Sequence, residues 1–80
     1  MELSDLVLLR GNKPLLAIEI KYTSAARISR GLTQAFSDIR ASENFIITPG
    51  TKDYLVREDV RVCSLPTFLQ TYLPEQLLSQ

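Results

Sequence analysis

Three charged residues near the N-terminus have the types and spacing of a metal-dependent hydrolytic site. Asp5 precedes an apolar run, and Glu19 and Lys21 stand two residues apart at the end of a second one, Leu15 to Lys21. Two neighbouring carboxylates repel each other unless a cation lies between them. Hard divalent cations such as Mg²⁺ prefer carboxylate and carbonyl oxygens. Asp5, Glu19 and the backbone carbonyl of Ile20 are therefore candidate metal ligands.

Lys21 could supply a positively charged group beside the metal. A divalent ion, Mg²⁺ or Mn²⁺, would generate hydroxide from bound water and stabilise negative charge on a phosphate. The ammonium group of Lys21 could position or activate that water, or stabilise the charge of the transition state. We therefore treat Asp5, Glu19 and Lys21 as candidate catalytic residues.

The strands must bring these side chains together. The runs Leu6–Leu9 and Leu15–Lys21, joined through Gly11 and Asn12, predict a β-hairpin. Side chains two apart in a strand share a face, so Glu19 and Lys21 point the same way as Ala17 and Leu15. Ile18 and Ile20 point to the opposite face.

The register of this hairpin is left open by the sequence. A three-residue loop, Gly11 to Lys13, places Asp5 directly across from Glu19. A two-residue loop places Asp5 opposite Ile18, on the wrong face. A plainer alternative also stands: Lys21 ends the strand in solvent, and Glu19 pairs with it on a wetted sheet face.

The rest of the chain predicts one mixed α/β (α+β) domain over residues 1–80, with element order β-β-α-β-β-α. A helix begins near Ser29, and the i, i+4, i+7 spacing of Leu32, Phe36 and Ile39 puts them on one helical face. The strand at Phe45 follows that helix, so it can run parallel to the strand at Leu15. The further predicted elements are the strand Phe45–Thr48, a polar loop Thr51–Asp59, the strand Val60–Ser64 and a last helix Thr67–Leu78, whose apolar side is Leu69, Tyr72, Leu73, Leu77 and Leu78.

Composition excludes several classes of site. Nine basic and nine acidic residues balance, so a global positive field for nucleic acid is absent. The chain has no histidine, which rules out a Ser-His-Asp triad and a histidine-based zinc site. The single Cys63 excludes an internal disulfide and is expected to be buried. With no apparent signal peptide or membrane span, we expect a cytoplasmic location.

The combination of these features resembles the PD-(D/E)XK nuclease superfamily. The stretches that carry the resemblance are Asp5 with its strand, Ile18-Glu19-Ile20-Lys21, Thr23-Ser24, Ser29-Arg30-Gly31 and Phe45 to Gly50. More narrowly, they look like the C-terminal nuclease-like domain of uncharacterised prokaryotic AAA-type ATPases. The resemblance implies a restriction-endonuclease-like fold, Asp5 and Glu19 as metal ligands, Lys21 as the catalytic lysine, and DNA phosphodiesters as substrate.

The chain also departs from that pattern. The helix and strand that open the superfamily core are missing before Asp5, and no Gly-x-x-x-x-Gly-Lys-Ser/Thr loop is present, so any ATPase domain would lie outside this chain. The strand after Asp5 would be left as a sheet edge, which predicts a homodimer through that edge. An alternative function is a catalytically silent module of the same fold that dimerises or docks onto a partner.

Overall fold

The fold is built on a five-stranded mixed sheet. A computed structural model of the chain describes residues 6–21, 36–37 and 39–78. The strands lie in the order β1-β2-β3-β5-β4. The strands are β1 (Leu6–Arg10), β2 (Lys13–Ile20), β3 (Glu43–Thr48), β4 (Tyr54–Arg57) and β5 (Val60–Ser64).

The central strands are parallel and the outer pairs are antiparallel. Strand β3 runs parallel to β2 on one side and to β5 on the other. The edge strands β1 and β4 pair antiparallel with β2 and β5. The predicted parallel pairing of the Leu15 and Phe45 strands is thus confirmed.

The predicted β-hairpin is confirmed, and a bulge sets the register that the sequence left open. The loop has two residues, Gly11 and Asn12, and Gly11 holds a φ of 65° that a residue with a side chain rarely adopts. Leu9 pairs with Pro14 and Leu8 pairs with Leu16, so one extra residue, Leu15, is inserted into β2. The bulge turns Leu15 to the same side of the sheet as Leu16, so our expectation that it shares a face with Ala17 is wrong.

The core has two layers, one on each face of the sheet. Such two-sided burial explains why β2 and β3 are nearly continuous apolar runs rather than alternating ones. The first layer comprises Leu15, Leu16, Ile18, Phe45, Ile47, Cys63 and Phe68, with Leu8, Tyr72 and Leu73 packed against it. The second comprises Ala17, Phe36, Ile46, Val60 and Val62, with Ile39 and Ala41 packed against it. Cys63 is fully buried, as predicted.

The connection between β2 and β3 is helical where the structure describes it. Phe36, Ser37 and Ile39 are helical, and the helix ends at Arg40, whose N–H donates to the Phe36 carbonyl at 3.1 Å. Phe36 and Ile39 lie on the second core layer, as their spacing predicts. The predicted helix start at Ser29 and the companion apolar residue Leu32 lie outside the described residues.

Arg40 ends this helix with a φ of 59°. Glycine is the usual residue at such a left-handed position, since a Cβ there is unfavourable. We therefore expect Arg40→Gly to raise the free energy of unfolding by about 0.5–1 kcal/mol. Urea unfolding of both proteins tests this, with Ser37→Gly as the control, because glycine at an ordinary helical position should instead destabilise.

The last helix occupies residues 65–78 and contains a wider turn. Ser64 caps it, because its Oγ accepts a hydrogen bond from the Thr67 N–H at 3.3 Å. Residues Phe68–Tyr72 form a π-helical turn in which the Leu73 N–H donates to the Phe68 carbonyl. Pro74 follows directly, and its missing N–H and bulky ring account for the widening.

This turn changes the helix face predicted from the sequence. Phe68, Tyr72 and Leu73 pack on the sheet, since a π-turn brings residues five apart onto one side. Three residues predicted on the apolar side are instead exposed: Leu69, Leu77 and Leu78. None of the helices within the described ranges is both long and apolar enough to cross a membrane.

The predicted element order misses one strand. Tyr54–Arg57, assigned from sequence to a polar loop, forms β4 at the edge of the sheet. All four of its residues are exposed, so the strand buries no side chain that could have produced an alternating pattern. The order is therefore β-β-α-β-β-β-α, a mixed α+β arrangement.

Candidate functional site

The candidate site lies where the parallel strands end. Strands β2, β3 and β5 run in the same direction and finish at Ile20, Thr48 and Ser64. Their carboxyl ends therefore meet at one edge of the sheet. In open α/β sheets this edge is where ligands usually bind.

Glu19 and Lys21 lie at this edge. Glu19 is half-buried and pairs in register with Ile46 of β3. Lys21 is also half-buried, and its backbone N–H donates to the Ile47 carbonyl at 2.9 Å, which holds the strand end in place. Alternation from Ala17 puts both side chains on the face that Phe36 covers.

Asp5, the third predicted site residue, lies outside the described residues. In the described part of the β1–β2 hairpin, Leu6 pairs with Ile18. Because Leu15 is an extra residue in β2, the pairs from Leu8–Leu16 to Leu6–Ile18 are the same as those expected for a three-residue loop without a bulge. The pair Leu6–Ile18 belongs to the same register that the metal-site hypothesis assumes.

The donor chemistry of this edge suits a hard cation. Glu19 supplies a carboxylate, and the backbone carbonyl of Ile20, the last residue of β2, is an oxygen donor of the kind that such cations prefer. Within residues 6–21, 36–37 and 39–78, no group of three or more His, Cys, Asp or Glu side chains could hold a metal ion. The described part of the site therefore offers one carboxylate, and the ligand set depends on Asp5.

Two hydroxyl residues at this edge were missed by the sequence analysis. Thr48 and Ser64 are paired in register, and alternation from Ile46 and Val62 puts them on the same face as Glu19. Thr48 is buried, whereas Ser64 is half-buried and caps the last helix. A Ser or Thr that ends a strand carries no distinctive pattern, so only the parallel topology identifies this pair as neighbours of the site.

A second polar cluster lies away from this edge and joins the last helix to the β4–β5 hairpin. The Tyr72 hydroxyl donates to Asp53 Oδ2 at 2.6 Å, and Arg61 forms an ion pair with Asp53 Oδ1. The Arg61 guanidinium also stacks over the Tyr72 ring, 4.7 Å from its centroid. These bonds to Tyr72 and Arg61 lower the pKa of Asp53, and the bond to Asp53 raises the pKa of Tyr72.

The role of this cluster is to fix the helix. Tyr72 also packs against Phe45, with ring centroids 5.7 Å apart, so its ring belongs to the first core layer. Asp53, Arg61 and Tyr72 thus form a structural link between sheet and helix. The sequence indicated only that Tyr72 belongs to the apolar side of the last helix.

We expect Tyr72→Phe to lower the free energy of unfolding by about 0.5–1.5 kcal/mol near neutral pH, because one hydrogen bond to a carboxylate is lost. The contribution of Asp53, whose pKa is lowered from 3.8, is present above that value and is lost as the pH falls through the lowered pKa. The difference between wild type and variant should therefore shrink in acid. Tyr54→Phe, at an exposed tyrosine, is the control and should change little.

Two further titratable groups of the described residues have shifted pKa values. Burial raises the pKa of the Cys63 thiol to about 11, so it is protonated at neutral pH. Burial, followed by the nearby charge of Asp59, raises the pKa of Glu43.

No protein-family model, curated protein or solved structure matches this chain.

Proposed function

We propose that the chain is a PD-(D/E)XK nuclease-like domain with a restriction-endonuclease-like fold, acting on DNA phosphodiesters with Mg²⁺ or Mn²⁺. The observation that supports it most is the hairpin register, since the observed pair Leu6–Ile18 belongs to the register in which the sequence predicts Asp5 across from Glu19. The parallel β2–β3 pair and the exposed strand end at Ile20 agree with this proposal.

Each residue has a distinct role in this proposal. Asp5, Glu19 and the Ile20 carbonyl would hold the cation, which would supply Lewis-acid activation of water and neutralise charge on the phosphate. Lys21 shares the face of Glu19, so its ammonium group lies beside the attacking water and orients it. Its positive charge also stabilises the negative charge that develops on the phosphate oxygens.

Lys21 provides the test of the catalytic part. Lys21→Gln should abolish cleavage of supercoiled plasmid in Mn²⁺ while leaving Mn²⁺ binding close to wild type, because the lysine is not a ligand. Lys52→Gln, which removes one charge from an exposed position, should cleave like wild type. Equal cleavage by both variants, or none by wild type in either metal, would contradict nuclease activity.

A second candidate function is a catalytically silent module that dimerises through β1. This strand ends the sheet, and Leu6 and Leu9 are 49% and 59% exposed. An apolar edge strand can pair with a second copy of itself across a twofold axis. An ATPase or another partner outside this chain could dock on the exposed edge of β1 instead. We also propose that the protein is cytoplasmic.

Light scattering tests whether the protein dimerises through β1. We expect a dimer at micromolar concentration that dissociates in Leu9→Lys, because a charge on an edge strand opposes pairing. Leu78→Lys, at an exposed position on the last helix, should leave the dimer intact. A stable wild-type monomer would exclude dimerisation through β1.

A further inference from the structure

A basic pocket lies at the opposite end of β2 from the candidate site. Its cavity has a volume of about 300 Å³ and is lined by Arg10, Lys13, Pro14, Leu15, Arg40 and Ser42. Three of these six residues are cationic and none carries a carboxylate. At about 3.3 Å per residue, β2 separates Lys13 from Lys21 by about 26 Å, so the two sites are distinct.

The fold places each cation of the basic pocket. The Arg10 guanidinium donates to the Leu77 carbonyl at 3.2 Å, which ties it to the end of the last helix. Lys13 directly follows the hairpin turn, and the bulge lies two residues further on. Arg40 is the residue at which the helix between β2 and β3 ends.

These charges have no acidic partners where the structure describes the chain. Within the described ranges, Asp53 forms an ion pair with Arg61, and Asp59 forms one with Arg57. The chain as a whole is neutral, so three cations around one cavity are a local concentration of positive charge. Their mutual repulsion is relieved when an anion enters.

Arg40 adds an independent observation. It occupies a left-handed φ of 59°, where glycine would be less strained. Strain of this kind is often found at binding sites, where the side chain is needed. Here the strained residue supplies a guanidinium to the basic pocket, and guanidinium groups bind phosphate through paired hydrogen bonds.

The surroundings limit the size of the anion. Ser42 also lines a neighbouring acidic groove of about 550 Å³, whose other lining residues are Glu43, Arg57, Glu58 and Asp59. An extended polyanion that left the basic pocket on this side would meet these carboxylates. A cavity of 300 Å³ is also at the small end of ligand-binding pockets.

We propose that the basic pocket binds the phosphate group of a small phosphorylated ligand, through Arg10, Lys13 and Arg40. This proposal does not depend on the candidate site at the other end of β2. It assigns a role to the strain at Arg40 and to the three cations among the described residues that line the cavity.

Inorganic pyrophosphate is the probe for the test, titrated into the ¹⁵N-labelled protein at constant ionic strength with chloride as the reference anion. We expect the amide signals of Gly11, Lys13 and Ala41 to shift with saturation. Arg40→Gly and Lys13→Gln should each weaken binding by about tenfold, the effect of losing one charge-assisted contact. Lys52→Gln, with the same loss of charge elsewhere, should bind as wild type does.

Arg40→Gly is informative because it removes the cation and also relieves the strained φ, so weaker binding cannot be attributed to unfolding. Lys13→Gln leaves the Arg40 backbone unchanged. Equal affinity in wild type and both variants, or no saturable shift in wild type, would overturn the proposal. Tighter binding of a duplex oligonucleotide at the same amides would overturn the restriction to small ligands.

Discussion

Replacing Phe36 by alanine should lower the free energy of unfolding by about 3–5 kcal/mol, the usual effect of removing a fully buried aromatic ring. Phe36 is 1% exposed and packs with Ala17, Ile46 and Val62 on the second core layer. A chain of 80 residues is expected to have a total stability of only about 4–12 kcal/mol. The variant should therefore be close to unfolding at room temperature.

Urea denaturation followed by circular dichroism measures this loss. Ser37→Ala is the matched control, since Ser37 is the next helical residue and is exposed. Its stability should stay within about 0.5 kcal/mol of wild type. A loss below 1 kcal/mol in Phe36→Ala would show that this helical segment does not anchor the covered face, and the setting proposed for Glu19 and Lys21 would then be wrong.

Replacing Glu19 by glutamine should weaken Mn²⁺ and Mg²⁺ binding by at least about 100-fold and abolish cleavage. The substitution keeps the size of the side chain and removes the one carboxylate that the described part of the site offers. Substitutions even in the groups that support metal ligands weaken binding by about 10–100-fold, so loss of a ligand should do more. Isothermal calorimetry measures the affinity of each protein, and thermal unfolding shows that the variant is folded.

Glu58→Gln is the control for this experiment. Glu58 is exposed and lines the acidic groove, so it tests whether the metal binds through general negative charge. We expect its affinity for Mn²⁺ to equal that of wild type. A larger effect in Glu58→Gln than in Glu19→Gln would relocate the cation to the acidic groove.

Much of the central sheet could be predicted from the sequence. Strands β2, β3 and β5 are apolar runs bounded by turn residues, and the helix between β2 and β3 permits their parallel pairing. Burial on both faces makes such runs easy to recognise. The spacing of Phe36 and Ile39 likewise indicated the face that packs on the sheet.

The missed features are those set by local backbone geometry or by tertiary context. Strand β4 is held by pairing with β5 rather than by burial, and its short apolar run, Tyr54 to Val56, lies exposed within a polar stretch that is typical of a loop. The bulge at Leu15 depends on how two strands fit together, which the sequence of either strand alone does not determine. The π-turn before Pro74 shifted the packed face of the last helix by changing its period.

The candidate site was predictable in part. The positions of Glu19 and Lys21 on one face follow from strand alternation alone. The hydroxyl pair Thr48–Ser64 follows only from the three-dimensional order of the strands, because the two residues are far apart in sequence. The basic pocket draws on the hairpin and on the end of a helix, and the sequence gives no indication that Arg10 and Arg40 are neighbours.

The central claim is that a divalent cation binds at the carboxyl end of β2. Paramagnetic broadening of amide signals by substoichiometric Mn²⁺ tests it most directly, since the effect falls off steeply with distance from the bound ion. We predict selective broadening at Glu19, Ile20 and Lys21 and at the neighbouring end of β3, lost in Glu19→Gln. Broadening centred on Glu43, Glu58 and Asp59, or spread evenly over the surface, would contradict the claim.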